Sequence, residues 1–290
     1  MKKKILILGS SGTLGNSLVK ILKKKYNVFH NGLIKRKINF NSKNKLAKLI
    51  KKTNPNLIIN CAAIINLDYC EKNKKNTKKI NVDLLKNIFL VKKKNKLNFK
   101  LIQISTDQMY NRKNNLPSRE NSLTYVFNEY TKQKLQSEKI CKQNKALILR
   151  LNFFSYEKKN FFRWICQSVL NNKKINLFKD IYFNPLSITS LTQIISTIVP
   201  IFLKNKVYGI YNLGSKDFIS KSNFGVYIIK TLKRYKFTNY KLVKSDNFLK
   251  IKRPKNMRMN TSKFQNTFKI KLPSIKKELN MSIKKINGKI

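Results

Sequence analysis

Short apolar runs alternate with segments of helical periodicity through the first half of the chain. Five such runs predict strands, namely Ile5–Leu8, Val28–Phe29, Leu57–Ile59, Leu101–Ile104 and Ala146–Leu151. The first is continuously apolar, as expected of a strand buried on both faces. Between them, apolar residues recur every three or four positions, which predicts helices near residues 16–25, before Pro55, over 80–91 and from Tyr130 to about Asn144. This alternation predicts an α/β fold with a Rossmann-type doubly wound parallel sheet.

The pattern loosens after Leu151. Helices are predicted near Phe161–Leu170, Leu191–Leu203 and Asn223–Leu232, and a strand over Tyr208–Leu213. We therefore divide the chain into a Rossmann domain over residues 1–151 and a small C-terminal α+β lobe over residues 152–290. The lobe is expected to be mainly substrate-binding, with some of its segments completing the Rossmann sheet.

A glycine-rich turn follows the first predicted strand directly and opens a helix at about residue 16. Its sequence, Gly9-Ser10-Ser11-Gly12-Thr13-Leu14-Gly15, has the spacing GxxGxxG. In dinucleotide-binding domains such glycines allow a tight turn, close approach of the backbone to a pyrophosphate, and packing of helix on strand. The alternative is a turn that binds nothing, but its place between strand and helix favours a dinucleotide site.

The end of the second predicted strand lacks the acidic residue that NAD-binding domains use to hold the ribose 2′-hydroxyl. His30-Asn31-Gly32 stands there, and Lys35, Arg36 and Lys37 follow. A basic cluster suits a 2′-phosphate, so we expect NADPH as the cofactor and leave NADH open. Lysine runs elsewhere in the chain weaken this inference.

Tyr130 and Lys134 have the spacing YxxxK in the predicted helix that runs to about Asn144. Residues four apart share a helix face, and a neighbouring ammonium lowers the pKa of a phenol towards a range useful for proton transfer. Strand four runs into Ser105-Thr106-Asp107, at the sheet edge where ligands bind, so Thr106 is the expected third catalytic residue. A surface tyrosine on a lysine-rich helix and a strand-end threonine are the alternatives.

The amino-acid composition argues against three kinds of site: a nucleic-acid interface, a metal site and a membrane span. The formal net charge is +52, from 64 Lys+Arg against 12 Asp+Glu, but lysine and asparagine are spread over the whole chain. This spread indicates compositional bias rather than a nucleic-acid interface, which concentrates charge and favours arginine. Four cysteines without a CxxC pair and one histidine argue against a metal site. The chain lacks a long apolar run, so we expect no membrane insertion and a cytoplasmic location with reduced thiols.

Ordered segments over nearly the whole chain carry a resemblance to a known family. They are Gly9–Gly15, Asn60–Ala63, Asp68 with Glu71, Asn81, Ser105–Tyr110, Pro117 with Glu120, Tyr130–Lys134 with Glu138, Arg150, Arg253–Asn256 and Thr261–Lys263. Together they resemble the extended short-chain dehydrogenase/reductase family, and within it the dTDP-4-dehydrorhamnose reductase-like branch. The resemblance implies NAD(P)H-dependent reduction of a 4-keto nucleotide sugar in surface polysaccharide precursor synthesis.

The resemblance also implies roles for matching residues. Tyr130 would protonate the sugar oxygen, Lys134 would hold the nicotinamide ribose, and Thr106 would position the ketone. The cofactor would be bound by Gly9, Ser11, Gly12, Thr13, Leu14, Gly15, Asn60, Ala62, Ala63, Ser105 and Lys134. The nucleotide-sugar substrate would be bound by Asp107, Asn152, Phe153 and Arg253, with Arg253 at the diphosphate.

Departures from the family pattern concern the substrate. Phe153 stands where the family has tryptophan, Gln108-Met109 replaces Tyr-Val, and Met257 replaces serine. Some family members use Mg²⁺, but no set of oxygen ligands is evident here, so no metal is predicted. An epimerase or dehydratase of the same superfamily and a non-catalytic cofactor-binding regulatory protein remain alternatives, and a homodimer is left open.

Overall fold

The computed structural model describes residues 1–30, 42–113, 116–157, 160–232 and 237–287. The strands are β1 Lys4–Leu8, β2 Asn27–His30, β3 Leu57–Asn60, β4 Lys100–Thr106, β5 Leu147–Leu151, β6 Phe153–Phe154, β7 Ile175–Phe178, β8 Tyr182–Phe183, β9 Leu186–Ser187, β10 Gly209–Leu213, β11 Ile219–Ser220 and β12 Tyr240–Val243. The α-helices are α1 Thr13–Leu22, α2 Lys43–Thr53, α3 Leu67–Lys72, α4 Lys74–Lys78, α5 Leu84–Lys94, α6 Glu129–Gln143, α7 Phe161–Leu170, α8 Ile188–Lys204, α9 Lys221–Thr231, α10 Ser262–Phe268 and α11 Ile275–Asn287.

The chain forms two compact units, and each is assembled from three segments. Unit 1 comprises Met1–Thr106, Val126–Arg150 and Thr192–Tyr211. Unit 2 comprises Asp107–Tyr125, Leu151–Leu191 and Asn212–Ile290. The functional division at residue 151 stays a prediction, and the two units are described separately below.

A six-stranded sheet of order β10-β5-β4-β3-β1-β2 forms the centre of unit 1. Strand β1 pairs in parallel with both β2 and β3, and β3 pairs in parallel with β4. Strand β2 therefore lies on one side of β1 and β3 on the other, so the direction of the strand order reverses between β1 and β3. Such a reversal opens a crevice at the carboxyl ends of β1 and β3, where α/β folds bind ligands. The predicted Rossmann-type fold is confirmed.

Apolar burial explains how the first strand and helix form. All four residues of Ile5–Leu8 are fully buried, as the continuous apolar run predicts. In α1, Leu14, Leu18 and Leu22 lie one turn apart and are buried on one face. The predicted start near Asn16 is wrong by three residues. Gly12 is the extended N-cap, so Thr13–Gly15 already forms the first helical turn.

One turn between α4 and α5 is wider than an α-helix. Residues Lys79–Asp83 form a π-helical turn, in which Asn81 and Val82 are buried. Such turns insert one extra residue and recur at functional sites. The predicted helix over residues 80–91 is therefore present, but its first turn has the wider geometry.

An aromatic and aliphatic core forms the centre of unit 2. Phe154, Phe162 and Phe224 pack with ring centroids 5.0–6.3 Å apart. They belong to a buried cluster to which helices α7, α9 and α11 contribute. The strand pairs of this unit are short: β7 is parallel to β12, β6 is parallel to β9, and β8 is antiparallel to β11.

Candidate active site

The glycine turn after β1 is packed so closely that two of its glycines have no room for a side chain. Gly9 has φ +78°, and a Cβ there would lie 2.5 Å from the backbone nitrogen of Ala62. A Cβ on Gly15 would lie 2.3 Å from the carbonyl oxygen of Gly9. The turn is thus pressed against the carboxyl end of β3, where the Cys61 N–H donates to the Leu8 carbonyl over 2.9 Å.

The N-terminus of α1 is suited to an anion. Its N-cap is Gly12, which provides no side-chain cap, and its first turn holds no acidic residue. By contrast, the side chains of Asn128 and Ser220 cap α6 and α9. Gly12 and Ser11 are exposed at the tip of the turn. An uncapped helix start with accessible peptide N–H groups favours a pyrophosphate, so the predicted loop residues fit a dinucleotide.

Strand β3 ends in a second predicted cofactor segment. The Asn60 side-chain amide donates to Gln103 Oε1 over 2.8 Å, and Asn60 Oδ1 accepts from the Ala62 N–H over 3.2 Å. Asn60 therefore shapes the turn that brings Ala62 against Gly9. Ala63 is half-buried beside it.

The predicted Tyr130–Lys134 pair lies on α6, which packs against β4. An Asn128–Thr131 capping box fixes the start of the helix, with Asn128 Oδ1 accepting from the Thr131 N–H over 3.0 Å. The Lys134 Nζ donates to the Ile104 carbonyl over 2.8 Å and lies 5.9 Å from the centroid of the Tyr130 ring. Tyr130 is 5% exposed and Lys134 3% exposed. The two side chains thus share a buried face at the carboxyl end of β4.

Burial changes the proton affinity of Lys134. It lowers the pKa of the Lys134 ammonium from the usual 10.5 to about 8, although the Glu138 carboxylate and the Cys141 and Cys61 thiols counteract it. Burial also raises the pKa of the Cys61 thiol to about 12, and Lys134 opposes this increase.

A buried ionic network supports the strand end that carries Thr106. The Ser105 hydroxyl donates to Glu138 Oε1 over 2.6 Å, and the Arg150 guanidinium contacts both Glu138 oxygens at 2.9 and 2.7 Å. Arg150 and Glu138 are each almost completely buried. The predicted cofactor residue Ser105 therefore uses its hydroxyl to tie β4 to α6. Thr106 is 4% exposed at the end of β4.

Sequence reasoning missed Gln133, the residue just before Lys134. Its side chain is fully buried; Oε1 accepts from Asn81 Nδ2 over 2.8 Å, and Nε2 donates to Thr77 Oγ1 over 2.9 Å. Asn81, in the π-helical turn, also accepts from the Ile64 N–H over 2.8 Å and donates to the Ile64 carbonyl over 3.0 Å. These bonds connect the helix of Lys134 to the loop after β3. A glutamine among many polar residues gives no sequence signal of such burial.

The predicted substrate residues lie in unit 2. The Asp107 carboxylate is buried and accepts a hydrogen bond from Asn152 Nδ2 over 2.8 Å. Phe153 is half-buried in β6, and Arg253 is exposed. Asn152 and Arg253 line a cavity of about 50 Å³ together with Lys221, which the sequence analysis did not single out.

Other predictions concern the cofactor, metals and membranes. His30 ends β2, and burial together with Lys23 lowers its pKa. Asn31, Gly32 and the basic cluster of residues 35–37 lie outside the described residues. Within the described ranges, the structure contains no group of three or more His, Cys, Asp or Glu side chains able to hold a metal. Nor does any described helix have both the length and the apolar character needed to cross a bilayer.

The chain is similar to known proteins in both sequence and fold. A dTDP-4-dehydrorhamnose reductase of Salmonella typhimurium is 24% identical over 280 residues, which cover 93% of each chain. The structure of a dTDP-4-dehydrorhamnose reductase of Bacillus anthracis in complex with NADP superposes with a TM-score of 0.87 at 21% identity, covering 98% of this chain and 100% of the other. A reductase structure of the same name from Clostridium acetobutylicum gives 0.86 at 24% identity, covering 98% and 99%.

The structural likenesses establish a shared fold over almost the whole chain. The match to a protein family is equally extensive, because the RmlD substrate binding domain covers residues 2–287. The resemblance inferred from the ordered sequence segments is thereby confirmed. The chain belongs to the RmlD substrate binding domain family.

Proposed function

We propose that the protein is an NADPH-dependent oxidoreductase that reduces the 4-keto group of a nucleotide sugar, as a dTDP-4-dehydrorhamnose reductase does. The reaction would serve the synthesis of dTDP-rhamnose for surface polysaccharide. The relatives that carry this name match the chain over nearly its full length. NADPH is the favoured cofactor, since the Bacillus anthracis structure is a complex with NADP.

One observation carries the proposal. The Lys134 amine is buried beside the Tyr130 ring and donates a hydrogen bond to the Ile104 carbonyl near the end of β4. A buried lysine whose ammonium contacts a backbone carbonyl rather than a carboxylate is costly for a fold, and a chemical role would explain that cost. A phenol that must transfer a proton supplies that reason.

The residues of unit 1 then have distinct tasks. NADPH, when bound, supplies the hydride from C4 of its nicotinamide. Tyr130 donates its proton to the carbonyl oxygen of the sugar, so that the ketone becomes an alcohol. The Lys134 ammonium stabilises the phenolate left behind. Thr106 donates a hydrogen bond to the carbonyl oxygen and fixes its position.

The pyrophosphate of the cofactor would lie at the N-terminus of α1. The peptide N–H groups of the first turn would hold it, and the exposed Gly12, which has no side chain, would let it approach closely. Ala62 and Ala63 would leave room beside the turn because their side chains are small. Asn60 and Ser105 would contribute indirectly, since their side chains hold the ends of β3 and β4 in place.

The substitution Tyr130→Phe tests the proposal. We expect kcat for NADPH oxidation with dTDP-4-dehydrorhamnose to fall by about 100- to 10,000-fold, because the proton donor is lost. NADPH binding, measured by fluorescence titration, should stay within about twofold of the unsubstituted protein, because the phenyl ring keeps the packing. Tyr125→Phe is the matched control, since Tyr125 is a partly exposed tyrosine and should leave kcat unchanged.

Three outcomes would contradict the proposal. Full activity of Tyr130→Phe would remove the proton donor from the mechanism. Conversion of a nucleotide sugar into its epimer without net NADPH oxidation would identify the alternative epimerase activity. Tight NADPH binding with no turnover of any 4-keto nucleotide sugar would favour the regulatory alternative.

A further inference from the structure

Lys221 occupies an unusual position in unit 2. It is the first residue of α9, where its N–H donates to the Ile181 carbonyl over 2.8 Å. A positive side chain in the first turn opposes the helix dipole, so the helix gains nothing from a lysine there. The side chain is half-buried, and its Nζ lies 5.2 Å from the centroid of the Phe161 ring. The amine is therefore held against an aromatic surface rather than extended into solvent.

Lys221 also lines a cavity together with a second cationic side chain, that of Arg253. Lys221 and Arg253 line the same cavity of about 50 Å³, with Gln108 and Asn152 as its other polar residues. This volume exceeds what one water molecule needs, so a small polar group can enter. Asn152 connects the cavity to Asp107 through its 2.8 Å hydrogen bond.

Positive charge predominates in the lining of the cavity. Among the described residues that line it, two are cationic, Lys221 and Arg253, and none is a carboxylate. Burial and the Arg253 guanidinium lower the pKa of Lys221 to about 8, and the Asp107 carboxylate opposes this decrease. A bound anion would neutralise the excess charge and relieve the repulsion between the two cations.

We propose that Lys221 and Arg253 together clamp the diphosphate of the nucleotide-sugar substrate, with Lys221 as a residue that determines the preference for a diphosphate. The inference rests on the proposed function and deepens it by assigning an additional substrate residue. A guanidinium binds two phosphoryl oxygens through its planar donors, whereas an ammonium binds one as a point charge. Two cations that converge on one cavity match a group that carries charge on two adjacent phosphorus atoms.

The test uses dTDP, dTMP and thymidine as competitive inhibitors of the full-length protein. The variant is Lys221→Met, which keeps an apolar stem on Phe161 and removes the charge. We expect the inhibition constant of dTDP to rise by about 10- to 100-fold, that of dTMP to rise less, and that of thymidine to stay unchanged. Lys230→Met, an exposed lysine in the last turn of the same helix, is the control for a general loss of positive charge.

A second measurement separates binding from a structural role. Because Lys221 is partly neutral near pH 8 and a phosphate would favour its charged form, dTDP binding at that pH should take up protons. Calorimetry in buffers of different ionisation enthalpy should detect this uptake in the unsubstituted protein and not in Lys221→Met. The groups that act on Lys221 are Arg253, which stays charged, and Asp107.

The outcomes distinguish the two proposals. An unchanged dTDP inhibition constant in Lys221→Met, or an equal rise for dTDP and thymidine, overturns the inference while the reductase activity stands. Lysine-dependent dTDP binding in a protein that reduces no 4-keto nucleotide sugar supports the diphosphate clamp and contradicts the proposed function.

Discussion

Replacing Lys134 with methionine should change how the stability of the protein depends on pH. The Lys134 ammonium is 3% exposed, and burial lowers its pKa from 10.5 to about 8. A folded-state pKa below the unfolded one means that the unfolded chain binds the proton more tightly. The neutral Lys134 amine therefore makes its full contribution to the free energy of unfolding above pH 10.5, and this contribution is lost as the pH falls to about 8.

The magnitude follows from the two pKa values. Each tenfold difference in proton affinity corresponds to about 1.4 kcal/mol, so the full difference is worth roughly 3 kcal/mol. Over an accessible range from about pH 7.5 to 10, about 2 kcal/mol of this should be observed. The free energy of unfolding should rise by that amount more in the unsubstituted protein than in Lys134→Met.

Urea unfolding of the cofactor-free protein at a series of pH values measures the effect. Comparing two proteins removes the contribution of all other lysines, which lose charge over the same range in both. Lys142→Met, an exposed lysine near the end of α6, is the control and should run parallel to the unsubstituted protein. Parallel curves for Lys134→Met and the unsubstituted protein would refute the reasoning, because Lys134 would then titrate alike in both states.

Further substitutions in the buried ion pair and in the glycine turn test the packing around the site. Arg150→Met should lower the free energy of unfolding by about 3–5 kcal/mol, because Glu138 would stay buried without its partner. The double variant Arg150→Met/Glu138→Leu should be more stable than Arg150→Met alone. Urea unfolding of both single variants and the double variant measures this, and additive effects of the two substitutions would contradict it. Gly15→Ala should cost about 1–3 kcal/mol, because its Cβ would meet the Gly9 carbonyl at 2.3 Å, and thermal unfolding should show it. In Gly12→Ala the nearest atom lies at 3.3 Å, so stability should change little while NADPH binding weakens; equal stability losses in both variants would contradict the assigned roles.

Much of the fold could be predicted because several strands of unit 1 consist mainly of apolar residues. Ile5–Leu8 and Leu57–Ile59 are buried on both faces, so each run consists of apolar residues alone and is recognisable as a buried strand. Strands of two residues such as β6, β8, β9 and β11 are too short to show any period, and they were not predicted. The helix around Pro200 was predicted, because apolar spacing continued through the proline.

The candidate site could be predicted where short motifs carry it. The glycine spacing and the Tyr130–Lys134 spacing are local, so the sequence alone brings those residues to one turn and one helix face. Gln133, Lys221 and the Glu138–Arg150 pair act through partners far away in sequence. Nothing local distinguishes Lys221 from the many other lysines of this chain. The basic cluster of residues 35–37, on which the preference for NADPH partly depended, lies outside the described residues.

The π-helical turn at Lys79–Asp83 determines which face of the following helix, α5, each of its residues occupies. One additional residue rotates the next segment by about 100° relative to an uninterrupted α-helix. Removing a single residue there would restore regular winding and turn the Asn81 amide away from the Ile64 peptide that it now bridges from both sides. A deletion in this turn should therefore disturb the Asn81 contacts more than a substitution on the exposed face of the helix would.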